Sequence, residues 1–397
     1  MDPVLKEKSG ISQNLGILFL SLILGLVLAE SIARFFVKIP ELPKVFVHEK
    51  TENPKLLYRP SPNATSHAYL VENKINSDGF RDREFTVKKE DQTKRVVFLG
   101  DSIIYGYGLE MDQTLPKRLE EIFRKNGKKV EVLNLGVSGY ETEQEVEFFK
   151  EVGLKYDPDI VLVGYALNDC HYASWELDLF DNLVDATVKN PNGRWQEKLL
   201  GSLYTHSRLF YLLDRTFHIQ KKVKELRSND VPIRRYLREK NKQNKDLPNS
   251  SYRQLEKKIE EDATRLGTSK GSLDYLMKGV GFRVDELYSP HWNVSRRAFD
   301  ELRDLSEKHH FKVVIAVIPI LQEMDRYPLE SLHQFLSSEF QSLGFQVIDM
   351  MNFGKEIYRD YGRPAISGDG VHFSSRGARL ASRYLYREWV KTEKLGW

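Results

Sequence analysis

The chain of 397 residues holds a single cysteine, Cys170, so it can form no internal disulfide, and a Cys-rich zinc site is excluded with it. An excess of either charge is missing too: 60 basic residues face 57 acidic ones, a net charge of +3. Such a balance carries no electrostatic footprint for nucleic acid, and none is expected as a partner. No G-x-G-x-x-G or Walker A pattern follows a strand-like run, which leaves nucleotide binding without a phosphate cradle. There is no internal repeat, and neither a metal nor a cofactor is expected. A hydrophobic content of 41% is that of a folded chain with a real core.

One stretch departs from this ordinary composition. Leu15 to Ala29 reads LGILFLSLILGLVLA with no charge, and apolar residues resume at Ile32, Ala33 and Phe35 to Val37. As a helix, residues 15–37 suffice to cross a hydrocarbon core of about 30 Å. Glu30 and Arg34 interrupt the far end, four residues apart, where they can pair on one helix face or sit at the interface. A helix of a soluble domain fits less well, because the stretch is apolar on every face whereas a surface helix would carry a polar one. A cleaved signal peptide is weakened by the missing A-x-A pattern after Val27-Leu28-Ala29. The expectation is therefore a transmembrane signal anchor at 15–37 behind a tail at 1–14, with the remainder on the extracytoplasmic side. Lys6 and Lys8 before the segment and Arg34, Lys38 and Lys44 after it leave the positive-inside rule undecided.

Residues 38–92 are rich in Pro, Asn, Lys and Glu and read as a stalk running into a capping segment, with the turn-forming Asn76 to Asp82 as a surface loop. Strand-like runs follow at Arg95 to Leu99, Val130 to Leu135, Ile160 to Tyr165, Val313 to Ile318 and Phe345 to Ile348. Helical patterns at Leu115 to Arg124, Glu141 to Val152, Arg297 to Lys308 and Leu329 to Leu343 separate most of them. Continuously apolar strands alternating with helices predict an α/β domain over 93–397, its parallel sheet covered on both faces. The alternation breaks at about 171–290, too long for a plain loop, so a mainly helical insertion is expected there. Its run Gln220 to Lys245 is heavily basic, a solvated face or a surface for anionic lipid heads or an acidic polymer.

Three predicted strands end in polar or glycine-rich corners. Val96 to Leu99 stops at Gly100-Asp101-Ser102, where a serine opening a helix stands at the carboxyl edge of the sheet. Read by themselves, Asp101 and Ser102 turn the chain and cap the helix through Met111 to Asn126. Val132 to Leu135 stops at Gly136-Val137-Ser138-Gly139, where the Gly136 N–H can approach a developing oxyanion. Ile160 to Leu167 stops at Asn168-Asp169, where Asn168 offers a side-chain amide. A fourth corner, Gly368-Asp369-Gly370-Val371-His372, sets a carboxylate three residues before a histidine. Folded back, Asp369 can hold the imidazole and stabilise its protonated form while the other ring nitrogen faces a hydroxyl. That is the base a serine nucleophile needs near neutral pH.

In order and content the four corners resemble the SGNH, or GDSL-type, serine hydrolase family. Gly100-Asp101-Ser102 matches the nucleophile block, Gly136 the glycine block, Asn168-Asp169 the asparagine block and Asp369 to His372 the Asp-x-x-His block. Ala166 stands where the family usually has glycine, with Gly164 two places back, and Ile103 replaces leucine. The resemblance implies a flavodoxin-like three-layer α/β/α sandwich on a five-stranded parallel sheet. It further implies a serine esterase with Ser102, His372 and Asp369 as triad, the Ser102 and Gly136 N–H groups and the Asn168 amide as oxyanion hole, and Asp101 and Asp169 in support. Acyl esters of envelope glycan or lipid, O-acetyl groups among them, are the expected substrates. O-acyl transfer to an exported polysaccharide, or glycan or lipid binding without catalysis, are the alternatives. Oligomeric state is not specified.

Overall fold

The structure, a computed structural model, describes residues 3–37, 47–51, 53, 55–56, 58–66, 71–167, 203, 207–217, 250–279 and 292–391. The chain divides into two compact units, Met1–Leu42 with Trp175–Val231 and Pro43–Ser174 with Pro232–Trp397. The first unit holds α1 (Pro3–Phe36), whose segment Gly16–Phe36 spans 21 residues at a mean hydropathy of 2.3. By length and composition that segment can cross a membrane.

The second unit begins with two short antiparallel pairs, β1 (His48–Lys50) with β2 (Tyr58–Pro60) and β3 (Thr65–Ser66) with β4 (Asn73–Lys74). Strand and helix then alternate through β5 (Lys94–Gly100), the one-turn α2 (Ser102–Tyr105), α3 (Leu115–Lys125), β6 (Val130–Gly136), α4 (Thr142–Phe148) and β7 (Ile160–Ala166). Helix α5 (Arg208–Phe217) belongs to the first unit. The second unit resumes with α6 (Ser250–Leu266), α7 (Lys270–Gly279), α8 (Trp292–His309), β8 (Lys312–Ile318), α9 (Glu330–Ser342) and β9 (Gln346–Asp349). It closes with α10 (Met351–Tyr361), α11 (Arg363–Ile366) and α12 (Ser375–Lys391). The described residues of the expected insertion are therefore largely helical, while the basic run Gln220 to Lys245 lies outside the described residues.

The five long strands pair in parallel in the order β6-β5-β7-β8-β9. Their central residues are mainly apolar because both faces are covered. Val96, Phe98, Val132, Leu162 and Val314 face one way, into a cluster with Leu119 and Phe123 of α3 and Leu385 and Trp389 of α12. On the other side Tyr165 meets Trp292 and Phe299 of α8 and Phe340 of α9. This is the expected flavodoxin-like three-layer sandwich. Its strand order reverses at β5, which opens a crevice at the carboxyl ends of β5, β6 and β7.

One sequence expectation changes here. The helix that Ser102 opens is not the one through Met111 to Asn126: α2 lasts one turn and stops at Gly106, which is left-handed at φ 83°. Glycine is suited to that conformation. The described part of 38–92, from residue 47 on, packs onto the domain, while 38–46 lie outside the described residues. Tyr58 Oη donates to Ser138 O at 2.8 Å, Gln144 Nε2 donates to Leu56 O at 2.8 Å, and Val47, Ala64 and Ile75 cluster with Tyr105.

Within it, Asn76 to Asp82 is mostly buried, with Phe80 and Arg81 fully covered. Asn76 Oδ1 accepts the Asp78 and Phe80 N–H groups, each at 3.1 Å, so the turn satisfies its own backbone and needs no water. Arg81 can then reach inward to donate to Tyr105 O at 3.0 Å, to Gly106 O at 2.9 Å and to Leu109 O. Beside it, Asp82 Oδ2 accepts the Asn134 N–H at 3.0 Å and the Lys117 ammonium at 2.6 Å. Turn-forming residues report a change of chain direction, and exposure does not follow from it.

Candidate active site

Three glycines make the seat of the site. Gly100, Gly136 and Gly164 stand side by side in the register of β6, β5 and β7. A Cβ on any of them would collide with Ile104, and one on Gly136 with the Tyr105 backbone nitrogen as well. Their absent side chains let α2 settle directly on the sheet edge. The register also accounts for the departure at Ala166: the glycine that touches Ile104 from β7 is Gly164. Asp101 caps α2, its Oδ1 accepting the Ile103 N–H at 2.8 Å from a buried position.

Ser102 Oγ lies 2.8 Å from His372 Nε2, and His372 Nδ1 lies 2.6 Å from Asp369 Oδ2. An ionised carboxylate only accepts, so Nδ1 carries the proton, Nε2 presents its lone pair, and the Ser102 hydroxyl donates to it. Asp369 folds back on its own loop. Its Oδ1 accepts N–H groups from Val371 at 2.9 Å and His372 at 2.8 Å, and the Ser367 hydroxyl at 3.2 Å. Burial by itself would raise the Asp369 pKa, but the hydrogen bonds from His372 and Val371 outweigh it and hold the carboxyl well below its ordinary value. The loop is braced from the segment after β8: Leu321 N–H donates to Gly370 O at 2.7 Å and Gln322 Nε2 to Asp369 O at 3.1 Å.

The structure thus brings Ser102, His372, Asp369 and Asp101 to one sheet edge with Gly136, while Asn168 and Asp169 lie outside the described residues. The Gly136 N–H donates to Asn134 Oδ1 at 3.0 Å, so any oxyanion there would share this donor or draw it away. Asn134 is fully buried, and its position two residues before the glycine was its only mark in the sequence. Tyr107 escaped sequence reasoning altogether. Its ring stacks on the His372 imidazole at 4.4 Å and 23°, a contact across 265 residues that no local pattern encodes. Such a face restrains the plane of the imidazole ring.

Behind Asp101 lies an acid that the site does not use. Glu145 of α4 is buried, and neither carboxyl oxygen has a hydrogen-bond partner among the described residues. Burial, then the negative charges of Asp101 and Glu141, push its pKa well above the ordinary value. The folded chain therefore keeps a proton that the unfolded chain gives up. No stability is lost below the ordinary carboxyl pKa, and each pH unit from there up to the folded pKa costs about 1.4 kcal/mol. Glu145→Gln is accordingly expected to match the wild-type melting temperature near pH 4 and to exceed it by a growing margin toward pH 8. A margin independent of pH in thermal unfolding would contradict the assignment.

Residues 98–268 match the family described as GDSL-like Lipase/Acylhydrolase. Among solved structures, an acetyl xylan esterase, AlAXEase, is similar at 11% identity over 74% of this chain and 98% of its own, with a TM-score of 0.38. TesA is similar at 10% identity over 76% and 99%, with a TM-score of 0.37. A catalytic mutant of an acetylxylan esterase from Geobacillus stearothermophilus follows at 12% identity over 77% and 94%, also with a TM-score of 0.37. No curated protein sequence gives a significant match.

Proposed function

We infer that this chain is an ester hydrolase of the GDSL-like lipase/acylhydrolase family, whose model residues 98–268 match, and that it works through Ser102 as nucleophile, His372 as general base and Asp369 as the acid that orients it. The observation carrying this reading is the unbroken run of hydrogen bonds from Ser102 Oγ through His372 to Asp369. Ser102 attacks the ester carbonyl carbon as its proton passes to His372 Nε2, and Asp369 stabilises the imidazolium. The tetrahedral oxyanion is held by the Ser102 N–H, which has no intrahelical partner at the first position of α2, with the Gly136 N–H and the Asn168 amide. The imidazolium then protonates the leaving alcohol. Water, deprotonated by the same nitrogen, releases the acid from the acyl-serine.

The substrate reading rests on α1. An esterase tethered at a membrane with its catalytic domain outside would act on acyl, including O-acetyl, esters of envelope glycan or lipid. A fluorophosphonate is expected to label Ser102, and a panel of acyl esters with acetylated glycans included is expected to favour the short acyl chains. Absence of labelling would refute the nucleophile, and preference for long free acyl esters would refute the substrate class. Acyl groups passing to an added glycan rather than to water would recast the enzyme as a transferase with the same triad.

A further inference from the structure

Glu30 is the misfit of α1. It is a carboxylate inside the 21-residue apolar segment Gly16–Phe36, where an unsatisfied charge is costly. In the structure it is fully engaged. Its oxygens accept the Ser207 hydroxyl at 2.8 Å, the Arg208 N–H at 3.1 Å and the Leu209 N–H at 3.0 Å, and Arg34 Nε donates to it at 2.9 Å. Glu30 thus serves as an N-terminal cap for α5, supplied from another helix. It answers the free N–H groups and the positive end of the α5 dipole.

The ten residues of α5, RLFYLLDRTF, place Leu209, Phe210, Leu212 and Leu213 at helical spacing along one side. Leu212 is 45% and Leu213 36% exposed, so that side stays partly open. The helix packs beside α1, whose apolar residues are themselves bare, Leu18, Leu20, Leu24 and Leu28 each by more than half. The apolar surface of the anchor therefore continues onto α5. Glu30 sits six residues before the end of the segment at Phe36, about 9 Å along the helix axis. That matches the roughly 5–10 Å at which amphipathic helices bury their apolar face in a bilayer surface.

We propose that α5 is an interfacial helix. It lies in the surface of the membrane that α1 enters, with Leu212 and Leu213 among the lipid acyl chains and its N-terminus fixed by Glu30. The occupant of its apolar side is lipid, and the anchor thereby gains a second contact that limits rotation about its axis. This inference rests on reading α1 as a membrane helix.

The test uses the full chain with Cys170→Ser, reconstituted in phosphatidylcholine vesicles. Single cysteines are introduced at Leu20 in α1, at Leu212 or Leu213 in α5 and at the exposed Lys125 in α3, and each is labelled with an environment-sensitive fluorophore. Lipids brominated near the carbonyl end of the acyl chain are expected to quench at least half of the emission from Leu212→Cys and Leu213→Cys and none from Lys125→Cys. Adding Glu30→Ala is expected to abolish that quenching while Leu20→Cys, probed with lipids brominated deeper in the chain, stays quenched. Quenching at Leu20→Cys with none at either α5 site would overturn the proposal. So would a blue-shifted α5 probe insensitive to bromine, which would mark a protein partner instead of lipid. If Leu20→Cys is not quenched either, the anchor reading itself fails and takes the inference with it.

Discussion

Ser102→Ala is expected to leave a folded protein whose turnover of p-nitrophenyl acetate has fallen by about 10⁶-fold, the scale of loss when one member of a cooperating hydroxyl, imidazole and carboxylate is removed. The Ser102 hydroxyl meets His372 Nε2 at 2.8 Å, and no neighbouring group can replace it as nucleophile in that geometry. The structural loss is small. One partly buried hydroxyl disappears, at a net cost of about 1 kcal/mol, and the seat formed by Gly100, Gly136 and Gly164 against Ile104 is untouched. Steady-state kinetics beside a thermal melt decide the matter. Wild-type turnover in the variant would refute Ser102 as nucleophile, whereas lost turnover together with a collapsed melt would have to be repeated with Ser102→Gly before it counted.

The second large effect is expected far from the carbonyl, at Arg81. A helix of one turn has no stability of its own, and α2 leaves its carbonyls facing inward. Arg81 answers them, donating to Tyr105 O, Gly106 O and Leu109 O, with a fourth bond to Glu72 O at 3.3 Å. Arg81→Met would strand these buried acceptors and is expected to destabilise the domain by about 3–5 kcal/mol. The helix it supports carries Ser102, and misplacement of a reacting group by about 1 Å can cost 10²-fold. Turnover per folded molecule should therefore fall, with Arg81→Lys in between. Arg95 provides the comparison. It is equally buried, but at the far end of β5, where it donates to Thr86 O, Val87 O and Tyr156 O and pairs with Glu131. Arg95→Met should lower stability without lowering kcat. Equal losses of kcat in the two variants would show that Arg81 supports the fold alone.

Much of this architecture was legible before any coordinates. Runs such as Val96 to Leu99 and Ile160 to Val163 are apolar on both sides of the strand, and only a doubly covered parallel sheet accepts that. The order of the corners singled out Ser102, Gly136 and the Asp369 to His372 loop, because each is a short local pattern, the first two at strand ends. Local pattern was less reliable where burial decided the outcome. Asn76 to Asp82 has the composition of a surface turn, yet its internal Asx bonds free it from water and let Arg81 and Asp82 enter the core. The stop of α2 at Gly106 likewise depends on carbonyl partners that come from 25 residues upstream.

By itself the sequence determined the class of fold, the anchor-length helix and which side chains can do chemistry, since composition and short-range spacing act within one element. Tertiary structure decided the rest. Register across three strands turned Gly164, not residue 166, into the partner of Ile104. The same packing joined Tyr107 to His372 and Arg81 to the carbonyls of Tyr105 and Gly106. These pairings depend on which faces come into contact when the layers close, and that information is spread over the whole chain.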